Sequence, residues 1–138
     1  MQNWVINRIK RELNNYNYSL EVDNRTLDLN YKNKIYRFLI PLNYPFKPPS
    51  LILNNKELIY SPSNFPKKLW NTYCQYNNCI CCNSIKCCNN WSPCMTLLNI
   101  LKEYLDFTDK LKSYHKYYLF SNNNKLPDVI LDIIFSYI

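Results

Sequence analysis

Apolar residues recur at helical spacing near the start of the chain. Val5, Ile6, Ile9 and Leu13 share one face, and Arg8, Lys10, Arg11 and Glu12 take the other, which predicts an amphipathic helix over 3–14. Arg8 and Glu12 stand at i,i+4, the spacing of a surface ion pair. The period then shortens. Leu20 and Val22, Leu27 and Leu29, then Tyr36, Phe38 and Ile40 alternate with polar neighbours, so an antiparallel meander is expected. Asp23-Asn24 and residues 30–34 supply its turns, and Pro41 closes the third run. Tyr44-Pro45-Phe46-Lys47-Pro48-Pro49 cannot be regular structure, because three prolines fix φ and remove donors. Leu51-Ile52-Leu53 reads as a fourth strand, stopped by Asn54-Asn55. Residues 59–90 show no clear period, and a loop of that length in a compact domain is usually functional. Pro93 suits the first turn of a helix capped by Ser92. That helix buries Leu97, Leu98, Ile100, Leu101, Tyr104 and Leu105. A polar, Tyr-rich helical stretch follows over 109–118. Asn122-Asn123-Asn124 reads as a linker, and Leu126-Pro127 opens a last helix, apolar at Val129, Ile130, Ile133, Ile134 and Tyr137. The order gives an α+β fold, with a core over 1–120 and a linker plus apolar helix over 121–138.

Composition changes this picture in two ways. With 138 residues, the chain is long enough for one buried core, and 47% hydrophobic content excludes a disordered chain. Glycine is absent, so left-handed turn positions are expected to fall to Asn or Asp. Alanine is absent too, while Asn, Lys, Ile and Tyr abound. That bias matches an AT-rich genome, such as that of a parasite or a large DNA virus.

The net charge is +7. Lys and Arg are spread along the chain rather than clustered, which argues against nucleic acid. An acidic protein partner accounts for the charge through electrostatic steering. No apolar run approaches the roughly 20 residues of a membrane span, and the start carries no targeting pattern. An intracellular location, in cytoplasm or nucleus (host cytoplasm for a viral chain), is therefore expected. There the seven cysteines stay reduced, and an odd number does not make a disulfide framework.

The cysteines carry the candidate chemistry. A thiolate is both a strong nucleophile and a good leaving group, as acyl transfer between proteins requires. Ile80-Cys81-Cys82 lies before Asn90-Trp91-Ser92-Pro93. Cys87, Cys88 and Cys94 read as buried thiols. Alternatively, Cys74, Cys79, Cys82, Cys87 and Cys88 are spaced loosely enough for a structural zinc. His115 is the only histidine, and no triad pattern surrounds it.

These motifs, in this order, resemble the ubiquitin-conjugating enzyme family. Tyr44 to Pro49 matches its proline turn, Ile80-Cys81 the start of its active-site segment, and Trp91-Ser92-Pro93 its closing turn. Thr96-Leu97 with Ile100-Leu101 is similar to the helix that follows, and Arg8 to Leu13 to the first helix. The resemblance covers roughly 4–106 and implies a ubiquitin-conjugating-enzyme-like fold: N-terminal helix, antiparallel meander, active-site loop, C-terminal helices. It implies a transferase that accepts ubiquitin as a thioester on Cys81, with Cys82 and then Cys79 as fallbacks. Ubiquitin would pass to a substrate lysine, usually with a ligase. ATP is used only by the activating enzyme, and no cofactor or membrane is implied. The family's His-Pro-Asn is replaced by Ser61-Pro62-Ser63-Asn64, after Tyr60; Ser63 fills the aligned slot and Asn64 lies one later, so both are candidate oxyanion donors. Asn83 stands where many relatives carry an acidic residue near the incoming lysine. Arg8, Lys10 and Arg11 match the surface for the activating enzyme; Phe46, Ser92 and Pro93 match the surface for a ligase. The displaced slot leaves an alternative, a catalytically inactive module that engages ubiquitin or a ligase. The tail also resembles the opening of an F-box.

Overall fold

The computed structural model describes residues 1–122, and the side chains of residues 1–116. The linker and last helix expected over 123–138 lie outside them. The described chain packs as two units, one of residues 1–59 with 83–103, the other of 60–82 with 104–122.

The first unit is built on an antiparallel sheet. Helix α1 (Asn3–Glu12) precedes strands β1 (Asn17–Glu21), β2 (Thr26–Tyr31), β3 (Lys34–Leu39), β4 (Ser50–Leu53) and β5 (Lys56–Glu57), which lie in that order in one sheet. Helix α1 ends where the Leu13 N–H donates to the Ile9 carbonyl, and its last turn carries Lys10 and Arg11, cations that suit a helix C-terminus. Val5, Ile9 and Leu13 are buried, as their spacing requires. In the sheet, Leu20 faces Leu27, Leu27 faces Phe38, and Phe38 faces Leu51. Leu27, Phe38 and Leu51 are fully buried, as is Leu29. The period-2 runs thus mark the core face correctly, although Val22 is exposed. The opposite face is mixed: Asp28 pairs across the strands with Arg37, and Ile35 and Leu39 on the same face are exposed.

Turns without glycine use more than Asn. Lys32-Asn33 link β2 to β3 with φ of 49° and 62°, and Asn54-Asn55 link β4 to β5 with the same two values. Both are two-residue hairpins with both centres left-handed, the arrangement that matches strand twist. Arg25 also has a positive φ, 55°. Arg25 and Lys32 correct the expectation that only Asn or Asp would serve. Neither is β-branched, and ladder pairs on both sides of the Lys32-Asn33 turn fix the register. Asn54-Asn55 turns the chain into β5 rather than ending the sheet.

The second unit is helical. The stretch expected to be an aperiodic loop contains α2 (Lys67–Tyr76) and the four-residue α3 (Ile80–Asn83). Helix α2 buries only Leu69, Trp70 and Tyr73, a face too narrow to give an obvious period. The final described helix, α4 (Leu97–Asn122), is continuous, where two separate stretches were expected. The polar residues near 106–110 do not break the helix, and Phe107 and Leu111 continue the buried face of Leu97, Ile100 and Leu101. Thr108 and Ser113 hydroxyls donate to the carbonyls of Leu105 and Asp109, and Asp106 pairs with Lys110 at i,i+4. Nor does α4 begin at Pro93. Pro93 sits in a turn closed by the Met95 N–H on the Ser92 carbonyl at 3.0 Å. Thr96 leads into the helix instead: its N–H and hydroxyl donate to Asn99 Oδ1 at 2.8 and 2.9 Å, the return half of a capping box with Asn in the usual Glu position, while the Asn99 N–H donates to the Thr96 carbonyl at 3.1 Å.

Phe107, in the α4 part of this unit, is the centre of an aromatic cluster. Tyr60, Phe65 and Tyr73 meet its ring edge-on with centroids 5.0 Å away, and Trp70 at 6.3 Å. Among the described residues, no helix is long and apolar enough to cross a membrane.

Candidate functional site

The candidate residues fall in both units, and each group has its own surroundings. In the sheet unit, the proline turn is built around Tyr44. The Tyr44–Pro45 peptide is cis, and the Tyr44 N–H donates to the Pro41 carbonyl at 3.1 Å, with the Phe46 N–H on the Asn43 carbonyl at 2.7 Å. Tyr44 is fully buried, and its hydroxyl donates to the Glu12 carboxylate at 2.6 Å. Burial pushes the phenol above its ordinary range, and the Glu12 hydrogen bond adds to this. Glu12 also takes Arg8 Nε at 2.7 Å and the Leu97 N–H at 3.3 Å. The Arg8 guanidinium lies 5.6 Å over the Tyr44 ring and donates to the carbonyls of Pro93, at 2.6 Å, and Met95, at 3.1 Å. Trp91, itself buried, donates its indole N–H to the Pro45 carbonyl at 2.7 Å. The proline turn and the Trp91-Ser92-Pro93 turn are therefore physically joined, by Trp91 directly and by Arg8 and Glu12 through the first helix.

This arrangement divides the expected partner-binding residues. Arg8 spends its donors inside the fold, whereas Lys10 and Arg11 are exposed. Phe46 projects from the turn with 67% of its surface accessible, its ring edge-on to Trp4 at 6.5 Å. Pro93 is exposed, and Ser92 Oγ lies 2.7 Å from Cys94 Sγ. Sequence reasoning missed the role of Glu12 as a shared acceptor; its only signal was the spacing from Arg8.

The chain after α3 is pinned in the same unit. Buried Ser84 donates to Glu103 at 2.6 Å, the Ile85 N–H donates to the same carboxylate at 2.8 Å, and Asn90 Nδ2 donates to the Ser84 carbonyl at 3.0 Å. Lys86 Nζ donates to the Leu58 carbonyl at 2.6 Å, and burial lowers its amine below the ordinary lysine range. Asn83, exposed, heads this segment. None of Ser84, Lys86 or Glu103 had a sequence signal, since their partners lie far along the chain.

In the helical unit, Ser63 and Asn64 lie in a turn. The Asn64 N–H donates to the Ser61 carbonyl at 3.1 Å, and Ser61 and Ser63 hydroxyls share a hydrogen bond of 2.8 Å. Both residues are exposed. The thiols converge more closely. Cys79, Cys81 and Cys82 hold their sulfurs within 4.8 Å of one another, and Cys81 and Cys82 are 3.7 Å apart. Cys81 and Cys82 are exposed and Cys79 is half-buried. The hydrogen bond between the Cys81 and Cys79 side chains orders their acidity. It draws Cys79 below the ordinary thiol range, helped by the backbone of Cys81 and Cys82, and it pushes Cys81 up to about 12. Cys74, on α2, bonds to the Cys79 side chain and is raised, chiefly by burial. Cys87, Cys88 and Cys94 belong to the sheet unit. The sulfurs that converge are therefore not the set that spacing suggested: Cys81 joins Cys79 and Cys82, and Cys74, Cys87 and Cys88 are not in the group. Cys88 and Cys94 are exposed and Cys87 is half-buried, against the expectation of buried thiols. Among the described residues no cysteine forms a disulfide.

No protein-family model, curated protein or solved structure matches the chain.

Proposed function

We propose that the protein is a ubiquitin-conjugating enzyme, which accepts ubiquitin from an activating enzyme as a thioester on Cys81 and passes it to a substrate lysine. The observation that carries this reading is the direct bond from Trp91 to the Pro45 carbonyl. It makes one structure of the two motifs on which the family resemblance rests. The α+β order supports it: an N-terminal helix, an antiparallel sheet, then helices.

Each proposed role has a physical basis. Cys81 is exposed, so a bulky acyl donor can reach it; the hydrogen bond to Cys79 that raises its thiol works against thiolate formation, so its proton has to leave to a base as the acyl group arrives. In transthiolation the Cys81 sulfur attacks the incoming thioester carbonyl, its proton leaves to a base, and the activating enzyme's thiolate departs. Aminolysis by a lysine then develops an oxyanion, for which Ser63 and Asn64 are the nearest match to the family's donor; losing one such donor typically costs about 2.7–4 kcal/mol. Phe46, fixed by prolines and exposed beside Trp4, is a low-entropy anchor for a ligase, with Ser92 and Pro93. Lys10 and Arg11 are the exposed cations of α1 for an acidic activating enzyme.

One observation favours a second reading, a binding module without catalysis: the Ser63 hydroxyl already shares a hydrogen bond with Ser61. Incubation with activating enzyme, ATP and ubiquitin separates the two. A reductant-sensitive adduct that disappears in Cys81→Ala and persists in Cys88→Ala and Cys94→Ala is the expected result. Absence of an adduct on every cysteine removes the enzyme and leaves the binding module.

A further inference from the structure

We propose that Cys79, Cys81 and Cys82 form a binding site for a thiophilic divalent cation, with Zn²⁺ as the intended ion. This goes beyond the thioester reading and does not depend on it. A tetrahedral zinc site with Zn–S bonds of about 2.3 Å places its sulfurs about 3.8 Å apart. The Cys81 and Cys82 sulfurs already lie 3.7 Å apart, and all three fall within 4.8 Å of one another. Closing the other two edges requires movements of at most about 1 Å, within reach of thiol rotamers on a four-residue helix and the residue before it.

The donor set points to the class of ion. It is made wholly of sulfur, with no carboxylate or imidazole in the group, which selects Zn²⁺ or another soft cation over Mg²⁺ or Ca²⁺. Cys81 and Cys82 are exposed, so the ion has an entry path, and a fourth position stays open to water or an incoming thiol. Cys74 reaches Cys79 from α2 but lies outside the three-sulfur group. It is placed to orient Cys79, as a neighbour of the ligand rather than a ligand. On binding, each ligating thiol forms an S–Zn bond and releases its proton to the buffer; the metal keeps its oxidation state.

The test uses the full, reduced chain. Titration with Co²⁺ as a spectroscopic stand-in is expected to give sulfur-to-metal charge-transfer absorption saturating at one equivalent, displaced by Zn²⁺. Cys79→Ser and Cys82→Ser should each abolish it, and Cys74→Ser should weaken affinity by about tenfold. To avoid dependence on variants that fold poorly, the unaltered chain is alkylated with iodoacetamide with and without Zn²⁺. Mass spectrometry should show protection of Cys79, Cys81 and Cys82, with Cys88 and Cys94 modified in both cases. Absent protection, or protection of Cys87 and Cys88 in place of the three, overturns the proposal. None of these readouts involves ubiquitin, so loss of the metal site and loss of the conjugating activity are told apart.

Discussion

The two units of this chain are held by different kinds of contact. In the sheet unit the turns that carry the recognisable motifs are tied by directional polar bonds: Tyr44 and Arg8 on Glu12, Arg8 on the Pro93 carbonyl, and Trp91 on the Pro45 carbonyl. In the helical unit, four rings crowd one phenylalanine, and the polar chemistry is a set of adjacent thiols. Directional bonds restrict both the distance and the angle at which a turn can sit. Ring edges tolerate sliding, and thiols are weak donors. The unit that carries the proline turn is thus specified by directional bonds, and the unit with the three converging sulfurs mainly by volume.

The largest effect should come from removing the ring hub. Phe107 is almost fully buried, so Phe107→Ala leaves a cavity among Tyr60, Phe65, Trp70 and Tyr73, and should cost about 3–5 kcal/mol in urea unfolding. Phe107→Leu keeps much of the volume and removes the edge-to-face pairs, each worth about 0.5–1.5 kcal/mol, and should fall between. If the leucine variant matches the wild type, the cluster is held by volume alone and ring geometry drops out of the comparison.

Next in size is the shared acceptor. Glu12→Ala strips the carboxylate from Arg8 and Tyr44 together, leaving a buried phenol and a sheltered guanidinium without it. Breaking a buried pair costs about 3–5 kcal/mol, and the Glu12 side chain is 7% accessible but Arg8 25%, so about 3 kcal/mol is expected. Tyr44→Phe removes one donor to a charged acceptor and should cost about 1.5–3 kcal/mol. The double variant should cost less than the sum of the two single losses, because both act on the same carboxylate. Full additivity in chemical denaturation would show that Tyr44 and Glu12 are held independently, and the contrast between the units would weaken.

How far the sequence exposes all this follows from the range of each contact. The first helix and the first three strands are legible because period 3.6 and period 2 appear within single short runs. The two-residue hairpin at Asn54-Asn55 is half legible: the residues mark a turn, but the two-residue strand β5 after it has no pattern of its own. Helix α2 is hidden because only three of its ten residues, Leu69, Trp70 and Tyr73, are buried, too few to stand out as a period. The start of α4 misleads, since Ser92-Pro93 and Thr96 with Asn99 are both acceptable caps and only the backbone decides between them. At the candidate site, the motifs locate Cys81, Phe46 and Trp91. They do not show that Arg8 is committed inward, because its carbonyl partners lie some eighty-five residues away. Nor do they show that Cys79, Cys81 and Cys82 converge, since the same spacing in an extended segment would splay the sulfurs apart.

The smallest effect lies in a second ion pair of the sheet unit, and it tests whether burial rather than pair number separates strong contacts from weak ones. Arg37 meets Asp28 through two hydrogen bonds of 2.8 and 2.7 Å, a geometry at least as good as that of Arg8 with Glu12. Yet the Arg37 side chain is 53% accessible and Asp28 28%. Water and salt screen such a pair, and exposed pairs contribute little. The Arg37 hydrogen bond holds the Asp28 carboxyl below the ordinary carboxylate range. A carboxyl depressed in the folded state adds stability above its unfolded value near 3.8, and that contribution fades as pH falls below it. Asp28→Asn should therefore shift the melting temperature only slightly at neutral pH. The shift should shrink in high salt and vanish in acid, below the folded-state value. If instead Asp28→Asn destabilises as much as Glu12→Ala, with no salt dependence, then geometry outweighs shelter in this sheet, and the buried polar network beneath the proline turn loses its special standing.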